Sequence, residues 1–299
     1  MKEDQASSTA FTVLQGLVHT ARSRGHLDLV TPETAEVCTR ILEGSPEGQR
    51  RLKQLANPLF RGALPILERL IMPGISLHYA LRKRFIEQVT MQAIEQGVTQ
   101  VVSLGAGFDT LLWRLHLNKH EIQLIEIDHP ATSQVKQAAL AGAGQQQGSN
   151  LHLLPVDLSE RALLEVLQGF DGFDASRKTL FICEGVLMYL DIGAVDTLLE
   201  SLRRLTDHPV RFVFSAVSPM TSAYNNTGPL LKLYLMFKDE PLNWTIERQD
   251  LSDFLAKRDY RVLELADAQG LKERFLPPNC AETLHQGEFL ALSEADPLS

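Results

Sequence analysis

From residue 99 onward the apolar residues change their spacing, and that change constrains the fold more than any other feature of the chain. Short apolar runs appear: "QVVSL" at 100–104, "IQLIEI" at 122–127, "LHLL" at 151–154, "TLFIC" at 179–183, "RFVFS" at 211–215, "RVLEL" at 261–265 and "EFLAL" at 288–292. Between most of them lie amphipathic stretches of helical length, such as "DTLLWRLHL", "SQVKQAALAG", "SERALLEVLQ" and "IGAVDTLLESLRRL". Strands that are apolar throughout are covered on both faces, and strands separated by helices pair in parallel. The pattern predicts an α/β fold, a Rossmann-like, doubly wound and mostly parallel seven-stranded sheet over residues 99–299. The last strand follows the C-terminal helices and is free to insert antiparallel.

The first 98 residues read as helices that pack over the binding edge of that sheet rather than as an independent domain. "SSTAFTVLQGLVHTARSRG" spaces Phe11, Leu14, Leu17 and Val18 by three and four, with Ser7 or Ser8 as its cap. "TPETAEVCTRILEG" opens with Thr31 as cap and Pro32 at the first helical position. A stretch rich in Pro and Gly at about 57–75 reads as irregular, and a longer helix over about 76–96 ends at Gly97. After the fifth strand, residues 216–246 form a long insertion with turn residues at its start and Tyr224, Leu231, Tyr234, Met236 and Phe237 further on, the composition of a substrate lid.

A formal net charge of −8 argues against a nucleic-acid surface, which needs a cationic field. The cluster "LRKRF" at 81–85 reads first as a solvated helix face. The N-terminal residues lack the pattern of a secretory signal, and no apolar run is long enough to span a membrane. Cys38, Cys183 and Cys280 are widely spaced and read as reduced thiols of a cytoplasmic protein. The histidines show no metal-ligand spacing, so no metal is expected.

The loop after the first strand, "LGAGFDT", carries Gly105 and Gly107 but has Thr110 where a dinucleotide fingerprint needs its third glycine. Asp109 would repel a pyrophosphate at the start of the following helix. The ligand expected here is nucleotide-like and free of phosphate, which S-adenosyl-L-methionine satisfies. "IEIDHP" ends the second strand with Glu126 and Asp128 on one face, and Glu126 falls 19 residues after Gly107, the spacing of an acidic ribose ligand. Asp157 and Leu158 end the third strand, where an acid and a backbone N–H can read adenine. Glu184 ends the fourth, with Tyr189 five residues on.

The combination "VVSLGAGFDTLLWRL … EIDHP … DLS … CEGVLMYL" resembles the leucine carboxyl methyltransferase family and its bacterial relatives, among them polyketide O-methyltransferases that form methyl esters. "SSTAF" and "LRKRFIEQ" resemble the same family, and the matches span about residues 7–292. The resemblance implies that Arg82 grips the cofactor carboxylate, with Arg84 as the other candidate. It implies that Gly105, Ala106 and Gly107 line the methionine portion beside Asp109, and that Asp128 or Glu126 takes the ribose. Asp157 and Leu158 would hold adenine, and Glu184 would take the amino group or, with Tyr189, face the transfer site. Where family members often carry an acidic pair after the arginine segment, this chain departs, with Glu87 and Gln88.

A carboxylate acceptor is already ionised at neutral pH, whereas a phenol needs a base. No histidine is placed for that role by the sequence, which favours a cofactor-dependent O-methyltransferase making a methyl ester of a small-molecule acceptor or secondary metabolite. Methylation of a phenol, nitrogen or carbon nucleophile is the alternative, and a non-catalytic cofactor sensor or partner subunit is a third reading.

Overall fold

The computed structural model describes residues 6–24, 28–142, 147–228, 230, 242–278 and 280–298. Five helices come first: α1 (Ser8–Ser23), α2 (Pro32–Glu43), α3 (Pro46–Ala56), α4 (Pro58–Ile71) and α5 (Ile75–Glu95). The side chains of Ser7, Thr31 and Ser45 accept backbone N–H groups of the first turns of α1, α2 and α3, and prolines open α2, α3 and α4. The stretch 57–75, expected to be irregular, is α4 through Pro58–Ile71, with Pro65 inside it. Asn57 caps the helix through a 2.9 Å bond from Leu59 N, and Pro65 is exposed, so water can take the carbonyl that the ring leaves unpaired. Leu59 and Ile66 on α4 are 84% and 63% exposed, so sequence periodicity there does not report a core.

The sheet consists of β1 (Gln100–Leu104), β2 (Gln123–Asp128), β3 (Leu151–Pro155), β4 (Thr179–Cys183), β5 (Val210–Val217), β6 (Tyr260–Ala266) and β7 (Glu288–Ala295). They lie in the order β3-β2-β1-β4-β5-β7-β6. β7 runs antiparallel to both neighbours, with Val217 opposite Glu288 at one end and Val210 opposite Ala295 at the other. The connecting helices are α6 (Leu111–His116), α7 (Pro130–Ala141), α8 (Leu163–Gln168), α9 (Ile192–Arg204), α10 (Leu251–Ala256) and α11 (Ala268–Phe275). The seven strands and their order agree with the doubly wound sheet expected from sequence.

Alternation along each strand divides the apolar residues between two cores. On one face Val101, Leu124, Leu180, Val213 and Leu290 pack with Leu14, Leu17, Ile41, Leu81 and Phe85, so the N-terminal helices share a core with the sheet. On the other, Val102, Ile125, Phe181, Phe212 and Phe214 pack with Leu167, Val195, Leu199, Leu202 and Leu255. Cys38 and Cys183 are buried free thiols, and burial pushes both up to about 12. Cys280 is free and half-buried.

Candidate active site

The order of strands reverses between β1 and β4, and at such a point the loops leaving neighbouring strands diverge and open a crevice. The carboxyl ends of β1 to β5 border a cavity of about 1500 Å³, with α1 and α5 contributing its other wall. Because β7 is antiparallel, its first residue, Glu288, reaches the same edge.

Gly105 and Gly107 adopt left-handed φ angles of 63° and 54°. A Cβ on Gly105 would lie 2.4 Å from Cγ2 of Val186, so only glycine lets the loops after β1 and β4 meet. The N–H groups of Gly105 and Ala106 both donate to the Ile127 carbonyl, at 2.9 and 3.2 Å. Gly107 N donates to Oδ2 of Asp128 at 2.6 Å, tying the loop to the end of β2. Burial pushes the Asp128 carboxyl up. Asp109 accepts from Leu111 N at 2.5 Å, in the first turn of α6, and its other oxygen pairs with Lys83.

The wall contributed by α5 carries a charge network. Lys83 Nζ donates to Glu184 Oε2 at 2.9 Å as well as to Asp109. Arg82 Nη1 donates to both oxygens of Glu288 at 2.8 Å, and His78 Nε2 lies 2.9 Å from the same carboxylate. Arg82 Nε and Glu184 Oε1 approach to 2.7 Å but lack hydrogen-bond alignment, so these two buried atoms have charge attraction without a hydrogen bond. Three carboxylates, Asp109, Glu184 and Glu288, thus face two cations, leaving an excess of one negative charge before Asp128 is counted. Burial alone would raise the Asp109 carboxyl, but Lys83 and Lys136 outweigh it and hold it at about 2. The same contest leaves Glu288 well below the carboxylate range, because Arg82 and the His78 hydrogen bond overcome desolvation. Lys83 is shifted upward, Asp109 and Glu184 together overcoming its burial.

Most residues singled out from sequence border this cavity: Arg82, Arg84, the glycine loop with Asp109, Asp128, Asp157 with Leu158, Glu184 and Tyr189. Glu126 departs from that set. It shares a strand face with Asp128 but lies two residues deeper, is 4% exposed and forms an ion pair with Lys136 of α7, itself 2% exposed. Its spacing from Gly107 resembled that of a ribose ligand, but a buried lysine claims it. Asp157 accepts from both Ser159 N (2.8 Å) and Ser159 Oγ (2.7 Å), forming a turn. Tyr189 ends a short 3₁₀ turn over Leu187–Tyr189, and its carbonyl accepts from Asn243 Nδ2 at 2.8 Å. Glu87 pairs with Arg114 at 2.7 Å, and Gln88 accepts from Arg274 at 2.8 Å. Of the proposed lid aromatics and aliphatics, Tyr224 is 65% exposed, while Leu231, Tyr234, Met236 and Phe237 lie outside the described residues.

Sequence reasoning missed Lys83, His78, His285 and Glu288. Lys83 lies inside "LRKRF" between Arg82 and Arg84, the two positions that the family resemblance implies. Glu288 and His285 belong to "HQGE", the entry to β7, and a strand running antiparallel begins where its parallel neighbours end. His285 lines the cavity, and burial together with His78 lowers it to about 3. Among the described residues no group of three His, Cys, Asp or Glu side chains is arranged to hold a metal, and no helix is long and apolar enough to cross a membrane.

The sequence profile of the leucine carboxyl methyltransferase family matches residues 22–203. A protein of Mycolicibacterium vanbaalenii, provisionally described as an S-adenosyl-L-methionine-dependent methyltransferase, is 29% identical over 231 residues, which cover 73% of each chain. A Mycobacterium marinum protein with the same provisional description is 33% identical over 132 residues, 43% of this chain and 40% of its own length. The crystal structure of a provisionally described methyltransferase from Thermobifida fusca YX superposes with a TM-score of 0.57, covering 86% of this chain and 94% of that one. At 15% identity that likeness is one of fold.

Proposed function

The chain belongs to the leucine carboxyl methyltransferase family and is an S-adenosyl-L-methionine-dependent methyltransferase, and from that premise we propose that it converts a carboxylate of a small apolar molecule into a methyl ester. The residues present fit the cofactor. Two left-handed glycines bring bare backbone to the cavity wall, and an acid ends β2. The excess of one negative charge in the network of Asp109, Glu184 and Glu288 with Arg82 and Lys83 suits a ligand bearing a sulfonium and an ammonium. When bound, the cofactor supplies a methyl group already activated for displacement.

In this reading Gly105, Ala106 and Gly107 face the methionine portion, Asp128 takes the ribose hydroxyls, and Asp157 with the Leu158 N–H reads adenine. Glu184 takes the ammonium. Arg82 and Lys83 take the carboxylate, with Arg84 as the outer alternative, and Tyr189 borders the transfer site. A volume of about 1500 Å³ exceeds the roughly 300–1,000 Å³ of common small-ligand sites, which leaves room for an acceptor beside the cofactor.

One observation carries the choice of a carboxylate: His285, the histidine on the β7 side of the cavity, is buried and held near 3, too weak a base to deprotonate a phenol of pKa about 10. The other histidine on the cavity wall, His129, sits at the β2 end, where its Nδ1 accepts Ala131 N at 3.3 Å and its Nε2 faces Asp157 at 3.5 Å. An acceptor that arrives ionised needs only alignment and removal of its water.

The test is incubation with methyl-labelled S-adenosyl-L-methionine and a panel of carboxylic acids, phenols and amines, followed by mild alkaline hydrolysis. Release of labelled methanol from an acid supports the ester. A base-stable label assigns transfer to a phenol, nitrogen or carbon acceptor, and saturable cofactor binding without transfer to any class assigns a sensor.

A further inference from the structure

The backbone around His285 is held from outside its own segment. Asn226, which follows β5, donates from Nδ2 to the Leu284 carbonyl at 2.8 Å and accepts from Gln286 N at 2.8 Å, clamping the chain on both sides of the histidine. Gly287 gives the ring its space, because a Cβ there would lie 2.7 Å from Cε1 and Nε2 of the imidazole. The ring of His78 packs edge-on against it, with centroids 5.7 Å apart, and His78 is fixed by Glu288. His285 is 6% exposed, borders the cavity, and buries Nδ1 without a hydrogen-bond partner. Asn225 and Thr227 border the cavity beside it.

An imidazole fixed on a cavity wall, with its Nδ1 buried and without a partner, is not saturated by the protein around it, whereas buried polar atoms are satisfied in nearly all native structures. Resting on the ester reading, we propose that His285 is the acceptor-binding residue, its neutral imidazole donating an N–H to the acceptor's carboxylate. That hydrogen bond engages one carboxylate oxygen and leaves the other to attack the methyl carbon. The acceptor oxygen forms a bond to that carbon as the carbon–sulfur bond breaks; its electron pair passes to sulfur, and no proton moves.

The proposal is tested on full-length protein saturated with S-adenosylhomocysteine. Long-range proton–nitrogen spectra report the imidazole nitrogens, and His285→Gln assigns the His285 signals. Benzoate and octanoate are titrated as probes, with benzamide and octanamide as uncharged controls. The expected result is a saturable displacement of the His285 nitrogen signals by the carboxylates, with at least tenfold weaker response to the amides. His285→Ala is expected to weaken carboxylate binding tenfold or more, and His285→Gln, which keeps an N–H donor, to recover part of it. Unmoved His285 signals overturn the proposal, as does an equal response to acids and amides. Failure of S-adenosylhomocysteine to shift the Gly105–Gly107 amides overturns the cofactor reading and this inference with it. The methyl-transfer assay decides the ester reading separately, because it does not involve the histidine signals.

Discussion

Nη1 of Arg82 in α5 holds both carboxylate oxygens of Glu288 at 2.8 Å, joining positions 206 residues apart in sequence. Both side chains are nearly inaccessible, at 7% and 6% exposure. Coulomb attraction in such a site offsets a large desolvation cost, so the pair matters most when one member is removed.

Glu288→Gln and Arg82→Ala are each expected to lower stability by about 3 kcal/mol, since each removes the main partner of a buried charge and leaves it a single weaker one. The double variant Arg82→Ala/Glu288→Ala should lose less than the two singles combined, a coupling that a double-mutant cycle in urea measures. Arg82→Ala is further expected to weaken cofactor binding by about 1–3 kcal/mol in calorimetry. An unchanged dissociation constant assigns that role to Lys83 or Arg84.

Asp128 and Glu126 share a strand face but not a partner. Asp128→Asn is expected to weaken S-adenosylhomocysteine binding by roughly tenfold, because the acid that anchors Gly107 loses its charge. Glu126→Gln should leave that affinity within about threefold of the parent while lowering stability, because Lys136 becomes an uncompensated buried cation. Calorimetry and urea unfolding separate the two outcomes.

Glycine is required at one position and dispensable at another. Gly105→Ala adds about 1–2 kcal/mol of left-handed strain and an overlap with Val186, and should abolish cofactor binding at micromolar concentrations. Gly62→Ala, on exposed α4 with no atom within 4 Å of the added carbon, should stabilise the protein by about 0.4–1 kcal/mol. Calorimetry with S-adenosylhomocysteine reads the first outcome and thermal melts the second.

Acid should destabilise the fold in two stages. His285 has an ordinary pKa of 6.5 and is held at about 3, so between those values the unfolded chain binds a proton that the native state refuses. Stability contributed there is complete above 6.5 and falls as pH drops, at up to about 1.4 kcal/mol per unit. Glu288 and Asp109, with ordinary values of 4.5 and 3.8, are also depressed, so their contributions are lost on further acidification. His285→Gln should reduce the slope of the first stage, to which His19 and His152, also lowered by burial, contribute in the same direction, and spare the second in urea titrations from pH 7 to 4.

Every strand was legible, because runs such as "TLFIC" and "RFVFS" are apolar along their whole length and bounded by charge or turn residues. The glycine loop was legible for a local reason as well, since Gly105 and Gly107 carry their conformation in their identity. What escaped were facts about pairing. Glu126 looked like a ligand until Lys136, ten residues on, was seen to be buried against it. His285 and Glu288 had no local signature, and their importance comes from the antiparallel sense of β7, which brings the start of that strand to the cavity. Proline misled at α4, where Pro65 sits on a helix open to water rather than breaking it.

The insertion of β7 between β5 and β6 also has a consequence for assembly of the sheet. Until residues 288–295 join the sheet, β5 and β6 have no strand between them and the edge of β5 is open. Without that strand Arg82 lacks Glu288, one of its two carboxylate partners. A chain folded without β7 is therefore an unfinished sheet whose open edges favour association with other strands.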